Sequence, residues 1–474
     1  MKATLEREIK LQPPEGFELS GIDGARREPR LFDSTYYDTD DRRLARGGVT
    51  LRRRVESGAG AWQLKLPKGS ARLELELEGS ETIPDRATAL LVGLTRRRPL
   101  VPVACLRTHR ETVTVQQNGS VLADVVLDGV SVLEGERVAG GFEELEIELY
   151  DGSDDDLRRL EGVLRGAGAK DAASSSKLAR VLGVEPPRRA KLASGASPVE
   201  ALRAALRDQL SLILAHDPGT RLGTDAEDLH QLRVATRRLR AFLRASRSFV
   251  DEQWAEELRA ELGWLGSELG RVRDLDVLIE HLQEESASLE PDEAKAFRPI
   301  LTALGRERGR QRRTLLRGLE SDRYLALLDR LETVDPPISE ADTTLEAIWR
   351  REFRRLRRAM KELGESPVDD VLHGARIHAK RARYATELAR PALGKRAVPF
   401  VEAAKELQDV LGIHQDAVVA EQVLRESVAA HPAAGLAVGR LIERERRRRV
   451  EMRRTYRGVW KQLDRVGRAL EKSL

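Results

Sequence analysis

The chain is short of several residue types and patterns, and each shortage removes a class of protein. One cysteine, Cys105, stands among 474 residues. No intrachain disulfide can form, which points to a reducing compartment. Aromatic residues are 4% of the chain, and no basic stretch is interleaved with them. Stacking platforms for single-stranded nucleic acid need that interleaving. Nucleic acid is therefore disfavoured as a partner, with duplex binding through phosphates alone left open. No apolar run approaches the roughly 20 residues that span a bilayer. The opening MKATLEREIKL is charged from its second residue and lacks the apolar stretch of a signal peptide. A cytoplasmic protein with no membrane partner is expected. There is no HExxH and no Cys/His set for zinc. His373 and His378 diverge by about 140° on a helix, and the lone thiol reads as packed.

What the chain does have is charge. Charged residues are 34% and hydrophobic residues 41%, a balance that folds. Net charge is only +4, but residues 1–183 hold 28 Lys+Arg against 31 Asp+Glu, and the remainder holds 54 against 47. The basic part is rich in arginine, the residue suited to bidentate phosphate contact.

Residues 1–150 alternate at the period of a strand. Glu6, Glu8 and Lys10 oppose Leu5, Ile9 and Leu11. Further runs at 49–55, 61–66, 73–78 and 144–149 sort charge the same way, and 112–116 and 121–127 are β-branched and apolar. Glu74, Glu76 and Glu78 share one face; so do Glu144, Glu146 and Glu148. Arg52 and Arg54 share another. A sheet with one wet face is the plain reading. It does not explain why some strands carry only acids and others mostly bases. A closed barrel with a charged lumen does. Its carboxylates suit a divalent cation, its Arg and Lys phosphate oxygens. Gly47-Gly48 and Gly140-Gly141 read as hairpin turns.

From 199 onward the pattern is helical, with breaks expected at Asp217-Pro218-Gly219, Pro291, Asp335-Pro336-Pro337, Pro391 and Pro432. In His230–Arg240, helical spacing aligns His230, Arg233, Arg237 and Arg240 opposite Leu232, Ala235, Leu239 and Phe242. No acid occurs from Leu229 to Val250. The row recurs: His373, Arg376, Lys380, Arg381 and Arg383 repeat the offsets of His230, Arg233, Arg237, Arg238 and Arg240. Leu269-Gly270…Asp274 and Leu411-Gly412…Asp416 follow at 39 and 38 residues. A duplication with a period near 143 residues is implied, too long for a solenoid. Asp274, Asp276 and Asp416 read as partners that orient arginines. The 444–454 run, RERRRRVEMRR, reads as a solvated helix.

Two resemblances join these readings. Glu6-x-Glu8-x-Lys10, Tyr37-Asp38-Thr39, LRRR at 51–54, WQLK at 62–65, Arg107-Thr108-His109-Arg110, Asp128, the ELEIE run and Ser176-Lys177 resemble a CYTH domain, the triphosphate tunnel metalloenzymes. Gln63 stands where that family often has threonine. HQLRVATRRLRAFLR, RVRDLDVL, HGARIHAKRARYATEL and LQDVLGIHQDAVVA resemble a CHAD domain. The resemblances imply an α+β multidomain chain. An N-terminal eight-stranded antiparallel β-barrel, the tunnel, spans 1–183. A linker covers 184–197. An all-α domain of two duplicated four-helix bundles follows at 198–474, with halves about 198–334 and 340–474.

The resemblances also imply roles. Glu6, Glu8 and Lys10 are the expected catalytic residues. Glu6, Glu8, Glu144, Glu146 and Glu148 would hold Mg²⁺ or Mn²⁺. Arg52, Arg54, Lys65, Arg107, Arg110 and Lys177 would clamp inorganic triphosphate. His230, Arg233, Arg237, Arg238, Arg240, Arg273, His373, Arg376, Lys380, Arg381, Arg383 and His414 would bind polyphosphate. The implied activity is metal-dependent hydrolysis of triphosphate or short polyphosphate, with association with polyphosphate granules a further expectation. A non-catalytic polyphosphate-binding or granule-targeting protein is the alternative.

Overall fold

A computed structural model of the chain describes residues 2–79, 81–117, 119–172, 176–184, 192–193, 195–338 and 343–474. They form two compact units, Met1–Arg188 and Arg189–Leu474.

The strands of the first unit are β1 (Lys2–Gln12), β2 (Ala25–Arg26), β3 (Arg30–Asp38), β4 (Thr50–Glu56), β5 (Ala59–Lys68), β6 (Ala71–Leu77), β7 (Val101–Gln117), β8 (Ser120–Glu134), β9 (Arg137–Leu149) and β10 (Lys170–Asp171). Antiparallel pairing runs β1-β6-β5-β4-β3-β7-β8-β9 and returns from β9 to β1. The barrel is therefore closed by eight strands; β2 and β10 are short additions to β7 and β1. Hydrophobic alternation does not reveal β3. Its buried face is Phe32, Ser34, Tyr36 and Asp38, a mixture of apolar and polar residues. Gly140 and Gly141 are not a turn but part of β9, beside a register shift; a Cβ on Gly141 would sit 2.8 Å from the Val130 carbonyl oxygen.

Four helices accompany the barrel: α1 (Arg43–Arg46), α2 (Asp85–Thr95), α3 (Asp154–Gly166) and α4 (Lys177–Leu182). Ser153 caps α3 through a reciprocal bond set with Asp156, and three aspartates fill its first turn, where the helix dipole favours anions. Its Leu160 and Leu164 pack with Leu145, Ile147 and Leu149 of β9 and Leu11 of β1. Each such leucine contributes about 1.5–3 kcal/mol. This wall is thus buried on both faces, apolar outside and charged inside. Helix α4 starts where the Ser176 hydroxyl accepts a bond from the Ala179 amide. Leu178 then enters the core beside Tyr36, Leu106 and Val130, which fixes Lys177.

The second unit comprises α5 (Pro198–Leu222), α6 (Ala226–Ala245), α7 (Glu252–Ser286), α8 (Pro291–Glu320), α9 (Asp322–Glu332), α10 (Leu345–Lys361), α11 (Asp369–Leu388), α12 (Arg390–Leu393), α13 (Ala397–Ala430) and α14 (Gly435–Lys472). Helices α5 to α8 pack in sequence as one four-helix bundle, and α10, α11, α13 and α14 as its duplicate. The halves meet where α6 touches α11, α7 touches α13 and α8 touches α14. Leu282, Phe297, Leu424 and Leu441 share one core across that seam.

The expected break at Asp217-Pro218-Gly219 does not occur. Helix α5 runs through Pro218 and stops at Gly223, whose φ of 73° caps it. Burial overrides the missing amide. Asp217 accepts from Arg221 at 2.6 Å and from the Tyr324 hydroxyl at 2.7 Å, and Gly219 admits the Asp228 carboxylate. Of the expected linker 184–197, residues 185–191 and 194 lie outside the described residues, as does Ser339 at the expected divide between the halves.

Candidate functional site

Period-two alternation sends Glu6, Glu8 and Lys10 of β1 into the barrel. Their register partners on β9 do the same: Glu8 faces Glu148 and Lys10 faces Glu146. A cavity of about 190 Å³ opens among eight cationic side chains, Lys10, Arg30, Arg52, Arg54, Lys65, Arg72, Arg110 and Lys177. Four carboxylates line it, from Glu6, Glu74, Glu146 and Glu148. The lumen therefore carries a surplus of positive charge.

The charges are sorted within it. On one side Lys177 reaches Glu144 at 2.6 Å, Glu146 at 2.8 Å and Asp128 at 3.0 Å. Lys10 pairs with Glu146 and lies 3.4 Å from both Glu144 and Glu8. Arg110 forks onto Asp128 at 2.8 and 2.7 Å and also meets Glu148 and Glu146, each at 3.1 Å. Burial opposes the charge on Lys10, Lys177 and Arg110. The surrounding carboxylates outweigh it and hold all three pKa values above their ordinary range. Buried carboxylates and cations stabilise the fold only as a set.

On the other side Arg52 donates to Gln63 at 2.8 Å and to the Tyr36 hydroxyl at 3.2 Å. The guanidinium of Arg54 stacks 3.6 Å from the Phe32 ring centre and pairs with Glu56 at 2.8 Å. Burial, then Arg52 and Arg30, push the Arg54 pKa down to about 10. Burial opposes the charge on Arg52, but Tyr36 and Glu74 outweigh it and hold its pKa up, so Arg54 is the cation of this side that an added anion stabilises most.

The expected divalent cation requires hard oxygen donors. Glu144 meets Lys10 and Lys177, and Glu146 meets Lys10, Lys177 and Arg110. Glu6 and Glu74 share Lys65 and Glu148 meets Arg110, so with Glu76 they are the less neutralised set. They line an adjoining cavity of about 210 Å³. Glu6 and Glu74 hydrogen-bond each other, and burial, then Glu74, push Glu6 up to about 8. Lys65 holds the pair at 2.6 and 2.8 Å. Two carboxylates this close fit a cation that relieves their repulsion. Glu8 lies 3.4 Å from Lys10 and 3.9 Å from Arg72.

Arg107 does not line the tunnel. It is three residues from Arg110, an odd spacing that turns it to the outer face. There it is half exposed and pairs with Asp33 at 2.8 and 2.9 Å. Motif reading missed Arg30, Arg72 and Tyr36. Arg72 shares the period-two face of Glu74 and Glu76 and was findable; Arg30 and Tyr36 lie on β3.

In the helical unit, α6 and α11 bring the two His/Arg rows together. Arg233 and Arg237 from α6 and Arg376 and Lys380 from α11 are close enough to perturb one another. Arg273 and His230 adjoin them. Among the described residues this group of six makes one ion pair, Arg233 to Asp274 at 3.0 Å. Arg237 donates to the Tyr384 hydroxyl at 2.9 Å, and the Arg376 Nε is buried with no hydrogen-bond partner. Burial, first, holds His230, Arg233 and Arg376 below their ordinary pKa. Burial, then Arg376, Arg237 and Arg233, push Lys380 down to about 7.

The Leu-Gly…Asp motifs support this row. Arg233 lies against Gly270 and Arg376 against Gly412, where a Cβ would sit 3.7 and 3.1 Å from the guanidinium. The missing side chains let each arginine rest on bare helix, with the motif aspartate one turn on.

The remaining expected residues divide. Arg238 and Arg383 share Glu387 at 3.2 and 3.6 Å. Arg240 and Arg381 each lie near Arg259, a cation the motifs did not flag. His373 is exposed, 3.1 Å from Gln415. His414 is a correction. It is 2% exposed and held between Asp369 at 3.3 Å and Arg453 at 3.2 Å, away from the arginine row. Its period-3.6 position on α13 faces α14 and the core.

The comparisons with known proteins divide the chain in the same way. Family models for a CYTH domain and a CHAD domain match residues 4–174 and 204–425. Uncharacterized proteins from two strains of Mycobacterium tuberculosis are 33% identical over 443 residues, covering 85% of this chain and 83% of each relative. Among solved structures, PptA from Streptomyces chartreusis is 24% identical, with a TM-score of 0.48 over 56% of this chain and 100% of that one. The CHAD domain of the plant Ricinus communis is 24% identical, with a TM-score of 0.46 over 58% of this chain and 94% of that one.

Proposed function

The chain belongs to the family that joins a CYTH domain to a CHAD domain, and from that premise we propose that it hydrolyses inorganic triphosphate or short polyphosphate in the barrel and binds polyphosphate on the helical unit. The observation that carries the first part is the lumen of eight cations against four carboxylates. A tripolyphosphate fits such a surplus; a neutral or cationic substrate does not.

Arg52, Arg54 and Arg110 hold the phosphoryl oxygens and stabilise charge that spreads over them as the terminal bond lengthens. Lys65 and Lys10 fix the register of the chain of phosphates. Glu6, Glu74, Glu76 and Glu148 would hold Mg²⁺ or Mn²⁺. When bound, that ion supplies Lewis-acid charge to the phosphoryl oxygens. A tunnel carboxylate orients a water in line with the terminal phosphorus. No covalent intermediate is needed, which agrees with a lumen lined by no cysteine or histidine.

The neutralised state of Glu144 and Glu146 favours one other reading, a tunnel that binds without turnover. Phosphate release separates the two. The whole chain is expected to release phosphate from tripolyphosphate when Mg²⁺ or Mn²⁺ is added, and Glu6→Ala is expected to lower the rate by about 100-fold or more. Release that is undiminished in Glu6→Ala sinks the hydrolase assignment. Absence of release from the unaltered chain with either metal, alongside tight tripolyphosphate binding, favours the binder.

A further inference from the structure

Among the described residues that line the cationic cavity, Gln63 carries the one amide. It lies on β5, opposite Arg52 of β4 on one side and Glu76 of β6 on the other. Its neighbours Trp62 and Leu64 are fully buried in the core, so alternation turns Gln63 the other way, into the lumen. The side chain is 9% exposed, and the cavity is what it borders.

The two ends of this amide face different surroundings. The carbonyl oxygen accepts from Arg52 Nε at 2.8 Å. That bond fixes the orientation of the amide. A guanidinium only donates, so the flipped rotamer would set N–H against N–H. The NH2 end therefore points away from Arg52. Among the described residues no hydrogen bond engages Gln63 Nε2, yet that nitrogen is not sealed from solvent. In a side chain this buried, the surface it keeps is toward the cavity. Arg52 is held from a second direction, since it donates to the Tyr36 hydroxyl at 3.2 Å. Its remaining N–H groups are left for a ligand.

A donor without an acceptor in a buried site is costly, and an anionic oxygen is the acceptor that repays it most. The surplus of cations around the cavity selects an anion as the ligand. We propose that Gln63 is a substrate-binding residue of the tunnel. Its NH2 donates to a phosphoryl oxygen of the bound chain, while its carbonyl holds Arg52 so that the free guanidinium N–H groups reach the same phosphoryl group. The inference rests on the triphosphate reading of the barrel and deepens it. A threonine hydroxyl at this position would sit closer to the β5 backbone and offer a single hydrogen. Glutamine extends the grip into the lumen and adds a donor without adding charge.

The test is a double-mutant cycle read by calorimetric binding of tripolyphosphate. It uses full chains that carry Arg237→Gln and Arg376→Gln, so that binding in the barrel dominates. Gln63→Met keeps the length of the side chain and removes both amide ends. It is expected to weaken binding by about 10-fold or more, the weight of one hydrogen bond to a charged group. A several-fold loss is expected to persist in the Arg52→Gln background. Gln63→Glu keeps the acceptor for Arg52, and with it the local structure, but replaces the donor with an anionic oxygen. Binding there is expected to fall at least as far. Unchanged binding in Gln63→Met or in Gln63→Glu overturns the proposal. So does a Gln63→Met loss that vanishes in the Arg52→Gln background, because Gln63 would then act through Arg52 alone. Phosphate release from the same chains keeps the two readings apart. A Gln63 effect on binding without release by the unaltered chain overturns hydrolysis alone. Release with binding indifferent to Gln63 overturns the contact alone. No tripolyphosphate binding with Gln63 in place overturns both.

Discussion

The two units treat positive charge in opposite ways. In the barrel, Lys10, Lys65, Arg110 and Lys177 are wrapped in carboxylates that hold their pKa values up. In the helical unit, burial and like charges hold Arg233, Arg240, Arg376, Lys380 and Arg381 down. The barrel is a small closed lumen whose buried cations need carboxylate partners for it to fold. The helical row is anchored by an apolar core on its far side, through Leu232, Ala235 and Leu239 of α6 and Ala375, Ala379 and Ala382 of α11. Its charge can stay uncompensated because folding does not depend on it. A lumen whose buried cations are mostly paired, with a cationic surplus left at its lining, suits a short ligand in a fixed pose. An uncompensated row suits a long polyanion whose own charge completes it.

The largest expected difference is in stability. Lys177→Met leaves Asp128, Glu144 and Glu146 with one fewer buried counter-ion and is expected to destabilise the first unit by about 3–5 kcal/mol. Lys380→Met relieves repulsion and is expected to cost no more than ~0.5 kcal/mol. Calorimetric unfolding of the two variants checks the contrast, and equal losses would break it.

Salt dependence comes next. Polyphosphate affinity of the helical unit should fall steeply with salt, as counterions are displaced. Removing Arg237 and Arg376 together should flatten the slope of log affinity against log salt by about 2, one per cation lost.

The pH response has a worked sign. Lys380 titrates near 7 in the folded chain and near ~10.4 when unfolded. Between those values the folded state binds fewer protons, so its contribution makes stability rise with pH across that window. Polyphosphate favours the ammonium, so binding at pH 7.5 should take up a fraction of a proton. Titration calorimetry in buffers of different ionisation enthalpy reads that uptake, and Lys380→Met should remove it.

The smallest effect is at the glycines. Gly412→Ala crowds Arg376 at 3.1 Å, whereas Gly270→Ala meets Arg233 at an ordinary 3.7 Å. Polyphosphate affinity should fall more for the first, by a few-fold, while both gain helix propensity of about 0.5–1 kcal/mol.

Much of this was legible in the sequence because it rests on two periods. Alternation on β1, β6 and β9 placed the lumen acids, and the 3.6-residue period placed Arg233 and Arg237 opposite Leu232 and Leu239. Failures came where a motif was read without its period, or where burial overrode a local signal. Arg107 was grouped with Arg110 by motif, though three residues apart on a strand means opposite faces. His414 followed its motif rather than the core-facing side of α13. Pro218 breaks a helix in isolation, but not where Asp217, Arg221 and Tyr324 are buried around it. Which carboxylates remain free for a metal depends on which lysines reach them, and no spacing encodes that.

The most direct test of the division of labour is a crossed measurement on two variants, reading phosphate release from tripolyphosphate and binding of long polyphosphate on each. Arg52→Gln should lower release by about 10-fold or more and leave polyphosphate binding unchanged. Arg237→Gln with Arg376→Gln should weaken polyphosphate binding by about 10-fold or more and leave release from tripolyphosphate unchanged. Loss of both properties in either variant would contradict the account, because chemistry and polyanion binding would then share one site.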